Sequence, residues 1–309
     1  MAWYWIFLIV LAAILVLFAI FVAVVAHYFV HLLTHPAVYS RDYCLDVDLE
    51  KKVISPEVLT WKQENLLIPM EDHYSIHGTF YPGSQDKLII FAHGYTWTRE
   101  GSLKYAQLFH RLGYSMYLYD ERGHGDNKRQ AVTLGYQESK DLHQIVQFFR
   151  KRYGPSLWIG LHGESMGAAT VLLEMKYKED NLSFVIADSP FARMGELMRY
   201  QIKKYHLPSF LADCCNPFLK MKYGFSYRDV EPIESVKQST VPLLLIQGDH
   251  DTFIPPYHTK EIYEARKENT TLKYFPNVDH TDSYHHYPKE YEKTMMDFLS
   301  EHHIEKSSF

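Results

Sequence analysis

Leu157-Trp158-Ile159-Gly160-Leu161-His162-Gly163-Glu164-Ser165-Met166-Gly167-Ala168-Ala169-Thr170-Val171-Leu172-Leu173-Glu174-Met175 runs from an apolar strand pattern through a G-x-S-x-G pentapeptide into a helix-prone stretch. A serine set between strand and helix in this way has the form of a nucleophile elbow. The reason is steric. The turn is so tight that the serine backbone is strained, and glycines two residues to either side, Gly163 and Gly167, let neighbouring chain pass close by.

Around this stretch, strand and helix patterns alternate. Residues 61–68 and 74–81 read as a hairpin pair, and 87–92 is a buried run of the kind parallel strands show. A helical pattern over 103–112 stops at Gly113, 114–119 is the next strand, and the helix 137–153 ends at Gly154-Pro155. Residues 184–187, 241–246 and 271–275 are further strands, and 289–299 is the closing helix. This rhythm predicts an α/β domain, a mostly parallel sheet with helices on both faces, over residues 58–309. The interval 192–236 is too long for a simple crossover and is dense in aromatic and methionine side chains, so it reads as a small helical cap over the site.

A serine hydroxyl needs a base to take its proton, and the base needs a third group to fix its tautomer. Asp251, in Gly248-Asp249-His250-Asp251, and His280, in Val278-Asp279-His280, each follow a strand pattern. The order Ser165, Asp251, His280 is nucleophile, acid, base. Asp249 is a rival acid better suited to tying down its loop, and Asp279 is a weaker one. Among the 18 histidines, which include the nearby His285 and His286, His280 directly follows a strand and a short turn. Charge developing on a carbonyl oxygen calls for N–H donors, and the backbone amides of Met166 and Tyr95 are the candidates. His93 reads as a loop organiser and Asp120-Glu121-Arg122-Gly123-His124-Gly125 as the brace of an edge loop.

Residues 3–26 carry no charged side chain and the apolar run continues to Leu33. About 20 apolar residues cross a bilayer core, so 1–33 reads as a transmembrane anchor. Trp3, Tyr4 and Trp5 at one end and His27, Tyr28 and His31 at the other suit its two interfaces. The run is longer than the apolar core of a cleaved signal peptide and no basic segment precedes it. Arg41, Lys51 and Lys52 on its C-terminal side favour a cytoplasmic domain; the signal-anchor habit of exported hydrolases favours the opposite face. Residues 34–57, mixed, polar and marked by Pro36 and Pro56, read as a linker or irregular cover. The balance of 32 basic against 37 acidic residues, a net charge of −5, makes nucleic acid an unsuitable partner. Three cysteines, two of them adjacent, make neither a disulfide framework nor a zinc site. The Tyr284-His285-His286-Tyr287 cluster lacks a carboxylate or cysteine at ligand spacing, so no metal is expected.

His93-Gly94-Tyr95, the Asp120 to Gly125 run, Gly163-Glu164-Ser165-Met166-Gly167, Gly248-x-x-Asp251 and Asp279-His280, in this order and spacing, resemble the α/β-hydrolase superfamily. More narrowly, they resemble its bacterial membrane-anchored members allied to prolyl-oligopeptidase-like and serine-aminopeptidase-like esterases. The resemblance covers about 60–300 and implies an eight-stranded, mostly parallel sheet, acyl-enzyme catalysis and no cofactor, without transferring a substrate. The expected function is that of a membrane-anchored serine hydrolase acting on small-molecule carboxylic esters. Alternatives are a serine peptidase or amidase, and a non-catalytic hydrolase-fold protein that binds a lipid or a partner through the cap.

Overall fold

The computed structural model describes residues 2–178 and 182–304. Its centre is an eight-stranded sheet of order β1-β2-β4-β3-β5-β6-β7-β8. The strands are β1 (Glu64–Pro69), β2 (Ser75–Tyr81), β3 (Lys87–Ala92), β4 (Ser115–Tyr119), β5 (Trp158–Glu164), β6 (Leu182–Asp188), β7 (Leu243–Gly248) and β8 (Thr270–Phe275). β2 pairs antiparallel with both β1 and β4, and every pair from β4 through β3 to β8 is parallel. The mostly parallel eight-stranded sheet is therefore present as expected.

Period-two alternation divides the core. Leu88, Ile90 and Ala92 face a cluster shared with α4 (Tyr136–Tyr153), α5 (Met166–Glu174), α8 (Pro232–Lys237) and α9 (Tyr257–Ala265). Ile89 and Phe91 face the cluster of α3 (Leu103–Arg111), α10 (Ser283–His286) and α11 (Pro288–Glu301). Because successive side chains in a strand point to opposite faces, an unbroken apolar run such as Leu88 to Ala92 is legible as a strand buried on both sides. After β3 the chain goes to β4 on one side and then returns to β5 on the other. The carboxyl ends of β3 and β5 thus flank a topological switch point, where open sheets of this class form a crevice.

The cap consists of α6 (Met194–Lys204) and α7 (Phe210–Tyr223), with Gly224 at φ 75° closing α7. Both ends of the expected 192–236 insertion belong elsewhere: Ala192, Ile233 and Val236 lie in the sheet core.

The N-terminal region departs from the sequence reading. α1 (Ala2–Thr34) is long and apolar enough to cross a membrane, but its last turns are docked on the domain. Ala26, Val30 and Thr34 are buried, and Ala26 and Val30 share a cluster with Leu197 and Leu219 of the cap and with Met166. The Leu33 carbonyl accepts from the Tyr95 hydroxyl at 2.8 Å and the Thr34 carbonyl from the Val132 amide at 2.8 Å. Residues 34–57, expected as a linker or an irregular cover, form an ordered cover. It carries α2 (Arg41–Glu50), capped by the Ser40 hydroxyl, which accepts from the Tyr43 amide, and Ile54 enters the core beside β3 and β4. The acids Asp42, Asp46 and Glu50 mask in sequence a narrow inward stripe that includes Cys44 and the buried Asp48.

Candidate active site

β5 delivers the chain into the elbow. Ser165 sits at φ 55°, ψ −111°, a conformation that strains any side-chain-bearing residue, and is immediately followed by the first turn of α5. A Cβ on Gly163 would stand 2.2 Å from the Gly167 carbonyl oxygen, and one on Gly167 would stand 2.1 Å from that of Ala92, so side chains at these two positions would force strand and helix apart.

The Ser165 hydroxyl lies 2.8 Å from His280 Nε2, and His280 Nδ1 lies 2.7 Å from Asp251 Oδ2. An ionised carboxylate only accepts, so Nδ1 carries the ring proton and Nε2 is free to accept from the serine. Asp251 is 4% exposed and its carboxylate is fixed by the amides of Phe253 and Ile254, at 2.8 and 2.7 Å, and by the Gln247 side-chain amide at 2.8 Å. The structure thus brings together Ser165, His280 and Asp251 from the ends of three strands. The rival acids serve their loops. Asp249 accepts from the Asn277 amide at 2.6 Å and Asp279 from the amides of Thr252 and His280, both at 2.8 Å.

Met166 opens α5, and the amides of a helix's first turn lack intrahelical acceptors. Tyr95 comes from the loop after β3, which passes so close to the elbow that a Cβ on Gly94 would lie 3.7 Å from that of Ser165. His93 holds this loop. Its Nδ1 donates to the Gly94 carbonyl at 2.8 Å and its Nε2 accepts from the Glu121 amide at 2.8 Å, while burial pushes its pKa down to about 4. The edge loop is braced by ion pairs: Asp120 takes Arg99, and Arg122 is bidentate on Asp141 at 2.7 and 2.5 Å.

A family model described as serine aminopeptidase, S33, matches residues 83–222, and one described as PhoPQ-activated pathogenicity-related protein matches 210–306. The uncharacterized protein YqkD of Bacillus subtilis is 35% identical over 237 residues, 75% of this chain and 78% of that one. A Pyrococcus furiosus esterase superposes with a TM-score of 0.66 at 24% identity, over 80% of this chain and 94% of that one. The chain belongs to the α/β-hydrolase superfamily. This α/β-hydrolase is also similar to the lysophosphatidylserine lipase ABHD12 of Danio rerio, 24% identical over 196 residues, 61% of this chain and 50% of that one.

Beneath the elbow, the hydrolase carries a charged cluster in which Glu164, a polar neighbour of the nucleophile in the sequence, meets Lys104 and Asp188, which the sequence did not single out. Lys104 pairs with Glu164 at 2.8 Å, and the Tyr105 hydroxyl donates to the same carboxylate. Burial alone would raise the Glu164 carboxyl; the Lys104 ammonium and the Tyr105 hydroxyl outweigh it and hold it below its ordinary range. Asp188 is pushed up to about 6 by burial and by the Glu164 charge. The signal for Lys104 was its spacing, four residues before the core residue Leu108 and therefore on the same inward helix face. Next to Ser165, a cavity of about 190 Å³ is lined by Asp48, Lys51, Trp97, Lys104, Glu164 and His285. Asp48 reaches it from α2, a helix not read from the sequence.

Proposed function

We propose that this α/β-hydrolase is a membrane-anchored serine hydrolase that cleaves carboxylic esters through an acyl-enzyme on Ser165. The observation that carries the reading is the hydrogen-bonded chain from Ser165 Oγ through His280 to a buried Asp251, at 2.8 and 2.7 Å, with the serine held at φ 55°. His280 Nε2 takes the hydroxyl proton as Oγ attacks the ester carbonyl carbon. The amides of Met166 and Tyr95 hold the resulting oxyanion, each donor contributing about 3 kcal/mol. The tetrahedral adduct collapses, the C–O bond to the alcohol breaks, and the proton on His280 passes to the departing alkoxide. Water then attacks the acyl-serine, giving its proton to His280, and the acid leaves as Ser165 recovers its hydrogen. Asp251 holds the imidazole and stabilises its cationic form throughout.

The esterase likeness in fold and the lipase among the relatives support an ester substrate. A second reading, peptide or aminoacyl amide hydrolysis, is favoured by the serine aminopeptidase family model. A panel of acyl esters and aminoacyl arylamides separates the two. Ser165→Ala and His280→Ala are each expected to lower kcat by about 10⁶-fold, and the double variant by little more, because such residues act as a unit. Additive losses, or turnover by Ser165→Ala with its fold intact, would sink the assignment.

A further inference from the structure

A second cavity, apolar and about 600 Å³ in volume, lies between the anchor helix and the cap. Its walls include Phe29, Val30 and Leu33 of α1, Met198 and Ile202 of α6, and Phe253. The size falls in the range of small-molecule sites. It ends against the candidate active site. The Phe253 ring lies 5.0 Å from that of His280, and Leu33 accepts the hydrogen bond of Tyr95. Tyr95 and His280 also line the polar cavity beside Ser165, so these two residues partition the cavities.

The two cavities suit different parts of an ester. In the polar one, Asp48 is 1% exposed, and the His285 ring nitrogens face carboxylate oxygens of Asp48 and Asp282 at 3.5 and 3.4 Å. An alkyl chain placed there would lie against the charged side chains of Lys51, Lys104 and Glu164 and displace their water, which is unfavourable. The apolar groove has no charged side chain in its lining. Its position also matters. α1 has 33 residues, and about 20 suffice for a bilayer core; the docked turns from Ala26 to Thr34 therefore stand at the foot of the span. Near this foot the cap exposes Tyr205, Leu207, Phe210 and Met221. Lys203, Lys204, Lys220 and Lys222 stand on the same two helices or their ends.

We propose that this groove is the acyl subsite of Ser165, with the anchor helix as one of its walls, and that the substrate is a long-chain acyl ester drawn from the membrane in which α1 sits. This rests on the serine-hydrolase reading above. The acyl chain lies along Leu33, Ile202 and Phe253, its carbonyl meets Ser165 at the Tyr95 and His280 partition, and the alcohol occupies the polar cavity.

The test uses the full-length chain in phosphatidylcholine vesicles and two fluorophosphonates, one ethyl and one dodecyl. In both, serine Oγ bonds to phosphorus and fluoride leaves, so the reagents differ only in the tail. Labelling of Ser165 is expected to be at least tenfold faster with dodecyl than with ethyl. Ile202→Trp and Leu33→Trp, which fill the groove from opposite walls, should each bring that ratio close to one. Ethyl labelling reports that the site is still assembled, and either variant that retains it decides the matter. A ratio unchanged in such a variant overturns the subsite, because enrichment of the dodecyl reagent in the vesicles is the same for all chains. Ethyl labelling that is absent from the unsubstituted chain, or that persists in Ser165→Ala, overturns the serine-hydrolase reading and the subsite with it.

Discussion

Asp249 and Asp251 are two residues apart in one loop, and burial and aim separate their roles. Asp251 is buried with an oxygen on His280, whereas Asp249 binds the Asn277 amide. Asp251→Asn should lower kcat by about 10⁴-fold by presenting the wrong tautomer to His280, while Asp249→Asn, whose remaining oxygen still accepts from Asn277, should stay within a few-fold. Steady-state ester hydrolysis on both variants checks this, and a larger loss in Asp249→Asn would reverse the roles. Lys104 allows a second test at this scale. Lys104→Met leaves the Glu164 carboxylate buried beside the elbow without its cation, and breaking a buried pair in this way is unfavourable by about 3–5 kcal/mol. Urea unfolding should show that loss, and Lys104→Met with Glu164→Gln should recover part of it.

Among the elements, α1 and α2 are the ones whose sequence and structure tell different stories. A chain beginning at Val58 would lose Ile54 from the core, Cys44 from its buried site and the Arg41 pairing with Glu100 at 2.6 Å. Each buried apolar side chain contributes about 1.5–3 kcal/mol, so that chain should be less stable than one beginning at Pro36 by about 3 kcal/mol or more. Comparing the two by urea unfolding measures the contribution of α2. Equal midpoints would mean that residues 36–57 are a connector after all. The chain from Pro36 lacks one wall of the apolar groove but keeps Ser165, His280 and Asp251. It is expected to hydrolyse a short ester and to lose its preference for long ones.

For the molecule as a whole, acid sensitivity follows from buried imidazoles. Burial pushes His162 down to about 3 and His258 to about 4. A histidine whose folded pKa lies below its unfolded value of about 6.5 takes up its proton more readily in the unfolded chain. The stability it contributes is present above pH 6.5 and is lost as pH falls towards the folded value. Asp188, raised to about 6, acts in the opposite sense, its folded form binding the extra proton between about pH 4 and 6. Replacing His162 by Phe isolates one group. Relative to the parent chain, the variant should gain about 1.4 kcal/mol per pH unit between pH 6 and 4.5. Unfolding free energies at several pH values test this, and a difference independent of pH would refute it. Full-length protein should sediment with membranes and resist alkaline extraction, as a spanning α1 requires; release by alkali would make α1 a surface helix.

The alternating strand and helix patterns, the G-x-S-x-G turn and the order Ser165, Asp251, His280 were legible because local physics writes them. Period-two burial, steric need for glycine and the strand-end placement of each residue are all features of short segments. What the chain does with its acids and its N-terminus was not local. Sequence order and the Gly-x-x-Asp spacing favour Asp251 over Asp249, but the burial of Asp251 and its aim at His280 come from the fold. Lys104 is an ordinary helix lysine until Glu164 meets it from a strand about sixty residues away in sequence, a separation set by loop closure and not by any pattern. The apolar run 3–33 shows that it can span a bilayer; that its last turns also wall a groove against α6 and α7 depends on shape complementarity between segments nearly two hundred residues apart, which a hydropathy pattern does not encode.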